Sequence, residues 1–203
     1  MEATVHILIL AAGASSRMRG ADKLLQEVTG GLPLLRHVAE AALATGAPVT
    51  VTLPTGAEAR RAALLGLPIR IIEVPDAALG MSRSLVTGIG SLEPVADVQD
   101  GVMILPADMP GFTPAALSGL IARFQDDPGR ILRGGTSDGQ AGHPAIFPRD
   151  LWPALCAVTG DEGGRSVLQA NRDRVRVIPL PGRMALNDLD TPEDWAAWRA
   201  GGP

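Results

Sequence analysis

A single cysteine, Cys156, stands in a chain of 203 residues. One thiol makes no intrachain disulfide and no cysteine metal cluster, so the expected address is a reducing one, the cytoplasm. Long apolar runs are missing as well, and no membrane partner is expected. The first run, residues 5–12, falls short of the roughly 20 residues that span a bilayer, and it lacks the basic start of a secretion signal. A basic surplus is also absent: 18 Lys and Arg against 22 Asp and Glu leave a net charge of -4. That balance argues against nucleic acid as the main partner. No linker, low-complexity stretch or repeat interrupts the chain. Scarcest of all is lysine, since Lys23 is alone and arginine fills every other basic position. Such a survivor marks either a place that needs a compact point charge or a chance surface position; composition does not choose between them.

What is present is material for a core. Hydrophobic residues make up 46% and charged residues 20%, which suits one domain over residues 1–203. Short β-branched or aliphatic runs lie at 6–10, 49–53, 69–74, 102–105, 131–133, 145–147 and 175–178. Amphipathic stretches lie between them, at 34–44, 57–65, 82–89, 114–124, 151–158, 166–170 and 192–199. The alternation predicts an α/β fold, a Rossmann-like three-layer sandwich whose mainly parallel mixed sheet carries helices on both faces. Thr113-Pro114 and Thr191-Pro192 each offer a hydroxyl cap followed by proline, and Asp194 stands as a capping-box partner to Thr191. Leu117, Leu120, Ile121 and Phe124 form a core stripe, His6 is expected at a strand edge, His37 on a helix surface, and Cys156 in packing. Open sheets of this kind bind ligands beyond the carboxyl ends of their strands. Attention therefore falls on the segments just after Leu10 and Leu105.

After the first run comes Leu10-Ala11-Ala12-Gly13-Ala14-Ser15-Ser16-Arg17-Met18-Arg19-Gly20-Ala21-Asp22-Lys23. Small residues let a ligand approach the backbone, whose amides, with the Ser15 and Ser16 hydroxyls, can donate to phosphate oxygens. Arg17 and Lys23 add the positive charge a triphosphate needs. A Walker loop would need Ser or Thr after the lysine, where Leu24 stands, and a dinucleotide fingerprint would need glycine at Ser15. After the fourth run, Asp108 in Leu105-Pro106-Ala107-Asp108-Met109-Pro110 would face the crevice as a carboxylate suited to Mg²⁺. It would otherwise be an Asp turn before Pro110. Asp188 and Asp190, in Asn187-Asp188-Leu189-Asp190-Thr191-Pro192, read without further context as acids at a helix start.

These segments resemble the MobA-like nucleotidyltransferases that mature the molybdenum cofactor. The loop is similar to their LAAGxSxRM…K signature with one extra residue before Lys23, and 108–110 is similar to their DMP motif. The resemblance implies a nucleotidyltransferase fold, a nucleoside triphosphate on the loop, and Mg²⁺ on Asp108 and Asp190, with Asp188 as the weaker candidate. Three further segments resemble the cytidylyltransferase branch: Gly80-Met81-Ser82-Arg83-Ser84-Leu85, Gly142-His143-Pro144-Ala145-Ile146-Phe147, and Gly160-Asp161-Glu162-Gly163-Gly164-Arg165. They imply nucleotide contacts at Gly80 and Ser84, and acceptor contacts at Met81, Ser82, His143, Asp161 and Arg165. The N-terminal part would hold the nucleotide and the C-terminal part the acceptor. The implied reaction moves CMP from CTP to the phosphate of molybdopterin, for a molybdenum hydroxylase or its chaperone downstream. Arg17, Lys23 and Asp108 would carry the catalysis, because a dianionic phosphate nucleophile needs positioning and charge neutralisation more than a base. A sugar or alditol phosphate acceptor, or a non-catalytic cofactor carrier, are the competing readings.

Overall fold

In a computed structural model that describes residues 2–201, the chain builds one seven-stranded sheet in the order β3-β2-β1-β4-β6-β5-β7. The strands are β1 (Val5–Leu10), β2 (Val49–Pro54), β3 (Arg70–Val74), β4 (Gly101–Pro106), β5 (Ile131–Gly135), β6 (Ala141–Pro148) and β7 (Val175–Pro179). All neighbours run parallel except β6, which is antiparallel to both β4 and β5. The helices are α1 (Leu34–Leu43), α2 (Glu58–Ala63), α3 (Met81–Leu92), α4 (Pro114–Asp126), α5 (Trp152–Cys156), α6 (Arg165–Ala170) and α7 (Pro192–Gly201). The expected α/β sandwich is therefore the observed one.

Period-two alternation divides each central strand between two cores. Ile7 and Ile9 join Leu34, Val38, Leu117, Phe124 and Trp195 under α1, α4 and α7. Leu8, between them, joins Leu85, Ile89, Trp152 and Leu155 under α3 and α5 on the opposite face. The core stripe of α4 is buried as its spacing predicts, with Leu117, Leu120 and Phe124 at 0–1% exposure. Both Thr-Pro helix starts also form. Thr113 accepts from the Ala116 amide at 3.2 Å. Thr191 accepts from the Asp194 amide at 3.2 Å while the Asp194 carboxylate returns to the Thr191 amide at 2.8 Å. This box also takes the Asp190 amide, at 3.1 Å, and so fixes that residue at the mouth of α7.

The sequence places His6 at a strand edge; the structure corrects this. β1 is central, paired on both sides, and His6 is buried with its Nε2 3.2 Å from Asp100. Burial works against the Asp100 carboxylate, but donation from the Asp97 and Thr4 amides, both at 2.8 Å, and from His6 holds it below the usual carboxylate range. His37 is half-buried, with its Nε2 3.0 Å from the Pro110 carbonyl.

The strand order reverses at β1, which sends β2 and β3 to one side and β4 to the other. Leu10 and Pro106, the last residues of β1 and β4, lie side by side in register. A crevice at such a switch point is where an open α/β sheet receives a ligand.

Candidate active site

The loop leaving β1 is held from below. The Ala11 amide donates to Thr52 at 3.1 Å, the last tie to the sheet. Arg60 of α2, 6% exposed, then clamps the turn from inside. Its guanidinium grips the Asp22 carboxylate with two donors, at 2.6 and 3.0 Å, and the Ala11 carbonyl at 2.7 Å. The Ser15 hydroxyl sits in the same knot, donating to Asp22 at 3.2 Å and accepting from the Lys23 amide at 3.3 Å. Ser15 and Arg19 adopt left-handed φ of 52° and 51°, a local strain on the order of 1–3 kcal/mol each that the knot must over-determine. Among the described residues, the amides of 12–16 donate to no protein group. Unpaired consecutive amides form a concave seat for anions.

Sequence reasoning missed Arg60. Its signal was there: an arginine on the stripe of α2 that also carries Leu64, where an apolar residue belongs. Ala11 and Ser15 take part in this knot, while among the described residues the amides of Ala12, Gly13, Ser15 and Ser16 have no protein partner.

Opposite the turn, two carboxylates from distant segments converge on Lys23. Asp108 lies two residues past β4, and Asp190 at the capped start of α7. A bond from the Leu189 amide to the Asp108 carbonyl, 2.9 Å, ties these segments together. The Lys23 ammonium is 2.5 Å from both Asp108 and Asp190. Arg17 bonds the second oxygen of Asp190, and Arg19 reaches Glu193 at 3.0 Å. Burial disfavours the ammonium, but Asp108 and then Asp190 outweigh it and raise the Lys23 pKa above its usual value. The lone lysine therefore stands where two carboxylates from distant segments meet. Nearby Asp188 is pushed up, mainly by desolvation and then by Asp190 and Asp108, and it takes no bond from Lys23.

The donor set fits Mg²⁺ of the kind held by substrate phosphates. That ion keeps several waters and takes only one or two carboxylates from the protein. Asp108 and Asp190 supply two, and among the described residues no group of three side chains forms a closed metal cage.

The segments expected to meet the acceptor fall into two groups. His143 is the third residue of β6, at the same end of the sheet as Asp108, its amide tied to the Ala185 carbonyl at 2.8 Å. Although the residue is exposed, desolvation by its surroundings and then the charge of Arg133 lower its pKa, with Asp108 pulling the other way. Met81 and Ser82 instead bind the turn of Gly160 and Asp161. The Met81 amide donates to Asp161 Oδ1 at 3.1 Å, and the Ser82 amide to the Gly160 carbonyl at 2.9 Å. The first amides of α3 are therefore occupied by protein, and the Ser82 and Ser84 side chains are buried. Gly80 makes this junction possible. Its φ is 118°, and a Cβ there would stand 2.6 Å from the Gly160 oxygen. Arg165 lies elsewhere, in a separate cleft between β5 and α6. A cleft of about 1040 Å³ opens on the flank of α1, α4 and α7, lined by Asp188, Asn187, Arg183, Phe112 and Trp198 among others.

A switch-point crevice, an anion-seating turn and paired carboxylates sharing a lysine define a nucleotidyltransferase type of site. The chain belongs to the MobA-like NTP transferase domain family, whose model matches residues 7–175. It is 29% identical over 197 residues to a molybdenum cofactor guanylyltransferase of Serratia proteamaculans, covering 95% of this chain and 92% of that one. It is 35% identical over 125 residues to a bifunctional protein GlmU of Halorhodospira halophila, covering 60% of this chain but only 25% of that longer relative. Among solved structures, an Rv0371c homolog from Mycobacterium sp. strain JC1 superposes with a TM-score of 0.83 at 28% identity, covering 99% and 98% of the two chains. The Mycobacterium tuberculosis Rv0371c complex with manganese superposes at 0.78 and 25%, covering 96% and 97%. No helix among the described residues is long and apolar enough to cross a membrane.

Proposed function

We propose that this chain transfers CMP from CTP to the phosphate of a molybdopterin-type acceptor, releasing pyrophosphate. The observation that carries the reading is Lys23, held at 2.5 Å by both Asp108 and Asp190 beneath a turn of unpaired amides. Three segments far apart in sequence bring two negative charges and one positive charge together beside that turn. A packing role requires no such convergence.

In this reading residues 12–16 seat the triphosphate through their amides. Asp108 and Asp190 would hold Mg²⁺, which supplies charge neutralisation at the α-phosphate. Lys23 and Arg17, released from the carboxylates, turn to the pyrophosphate that departs. The acceptor phosphate needs no strong base, since its second pKa is about 6 and it is largely dianionic at neutral pH. Its attack depends on being held in line, and positioning is the dominant contribution to such transfers. Asp188, Asn187 and His143 border the space from which it would approach. The N-terminal part thus holds the nucleotide, and the C-terminal part closes the acceptor side.

The cytidylyl assignment is supported by the resemblance of the Gly80, Gly142 and Gly160 segments to cytidylyltransferases. A second reading changes only the base: the relative that aligns over 95% of this chain is a guanylyltransferase. The deciding experiment tracks pyrophosphate release with molybdopterin, Mg²⁺ and each of CTP, GTP and ATP in turn. CTP-selective turnover is expected. GTP-selective turnover favours the second reading, and turnover only with a sugar or alditol phosphate moves the acceptor. Tight cofactor binding without any pyrophosphate would make the chain a carrier and end the enzymatic reading.

A further inference from the structure

Beyond the carboxylate pair, a second cleft of about 740 Å³ opens among β5, α6 and the start of β7. Its lining is Arg133, Arg165, Leu168, Gln169, Arg172 and Val175, three arginines and no carboxylate. None of these lines the cleft beside Asp188, and none touches Lys23.

Among the described residues nine arginines ion-pair with acids. Arg36 meets Glu40, Arg60 meets Asp22, Arg61 meets Glu73, Arg149 meets Glu93 and Arg174 meets Asp150. With 22 acids to 18 bases there are acids to spare. The cleft brings together three arginines that have no such pair. Among the described residues the Arg165 and Arg172 side chains have no hydrogen-bond or ion-pair partner. Arg133 spends two donors, at 3.1 and 3.0 Å, on the Gly142 carbonyl, a neutral group that leaves its charge uncompensated. Desolvation lowers the Arg133 pKa, a sign that the guanidinium is drawn away from water without an acid in return. Three like charges around one concavity repel each other, and the arrangement becomes favourable when an anion fills it.

We propose that the cleft is a binding site for a phosphoryl group. Planar guanidinium forks match the oxygen spacing of phosphate and bind it through paired, charge-assisted hydrogen bonds. Gln169 adds a neutral donor on the same wall. Arg165 belongs to a segment that the family resemblance assigns to the acceptor; Arg133, Gln169 and Arg172 carry no such assignment. The cleft borders the reaction space, because the carbonyl held by Arg133 belongs to the residue before His143. The phosphoryl group comes from one of two sources: an organic phosphate ester of the acceptor's kind, or free phosphate or pyrophosphate acting as a product. The site stands whether or not the chain catalyses cytidylyl transfer.

The test is calorimetric titration of the full chain with inorganic phosphate, pyrophosphate and glycerol phosphate, without metal. It is repeated in Lys23→Ala, which weakens the anion seat of the N-terminal turn. One saturable site that persists in Lys23→Ala is expected. Arg172→Ala, an exposed position, should weaken it by about tenfold or more, the worth of one hydrogen bond to a charged group. Arg172→Lys should recover part of that loss. Equal affinity for glycerol phosphate assigns the acceptor as the source; affinity for phosphate and pyrophosphate alone assigns the free anion. Binding that disappears in Lys23→Ala, or that is unchanged in Arg172→Ala, overturns the proposal. The readout is binding, so a failure of nucleotidyl transfer leaves the result intact.

Discussion

Strand β4 has a carboxylate at each end, and the two live in opposite circumstances. Asp100, just before the strand, is 4% exposed and accepts from two backbone amides and a buried histidine. Asp108, two residues beyond the strand, keeps 21% of its side chain exposed and is met by the ammonium of a long, flexible lysine. Backbone donors cannot leave without unfolding the segment, whereas a lysine can swing away when something better arrives. Asp100 is answered by fixed groups, and Asp108 by the end of a long side chain. The two glycine-bearing turns divide the same way. The turn at 11–23 leaves its amides open, and the turn at 80–82 has its amides filled by Gly160 and Asp161.

The sharpest way to break this comparison is Asp108→Asn. Loss of the charge that steadies metal and phosphate is worth several kcal/mol at the transition state, so pyrophosphate release should fall by roughly a thousandfold. Stability should move by no more than about 0.5 kcal/mol, because no fixed donor is stranded. A variant that turns over normally, or that unfolds, would show that Asp108 is structural after all.

Arg60→Ala attacks the support of the open turn. It strands the Asp22 carboxylate and the Ala11 carbonyl where Arg60 was buried. Breaking a buried pair from one side costs about 3 kcal/mol. For a chain of this size that lowers Tm by roughly 6–12 °C, measured by thermal denaturation at neutral pH. The nucleotide KM should rise along with it, since the turn loses the knot that holds Ser15 and Asp22. An unchanged KM would mean that the turn shapes itself without the clamp.

Gly80→Ala tests the filled turn. The new Cβ would meet the Gly160 carbonyl at 2.6 Å, in a left-handed region that L residues avoid. A loss of about 2 kcal/mol in denaturant unfolding is expected, of the size typical for overpacking. If the turn is structural, the surviving folded molecules should bind nucleotide as before. A selective loss of binding instead would return the Gly80 segment to the nucleotide site, as the family resemblance implies.

Such differences explain what the sequence reveals and what it conceals. Strands and helices were legible because period-two and period-3.6 patterns are local, and because Thr113 and Thr191 sit in their own caps. Lys23 was legible for a compositional reason, and Asp108 because a strand end points to a crevice. Arg60, and Arg133 and Arg172 beside Gln169, were not. Their meaning depends on which partner the fold brings opposite them, Asp22 in one case and no acid in the other. His6 was misplaced for the same reason. Its strand lies at the chain's start, and only the crossover that sets β2 and β4 on either side makes it central.

Asp100→Asn closes the comparison from its structural end. At neutral pH the amide can still accept from one backbone N–H, but its NH₂ faces the other donors, and a loss of about 1–2 kcal/mol is expected. The pH dependence carries the stronger test. Asp100 has a folded pKa below the unfolded value of about 3.9, so in acid the unfolded chain binds the extra proton first. The wild-type advantage is therefore complete above that value and drains away as pH falls through the folded one. Asparagine does not titrate. Unfolding curves of the two proteins should stand apart at pH 7 and draw together below about pH 4, with nucleotide turnover per folded molecule unchanged. A gap that stays constant into acid would mean that the amide donors do not favour the ionised carboxylate, and that Asp100 and Asp108 differ only in depth.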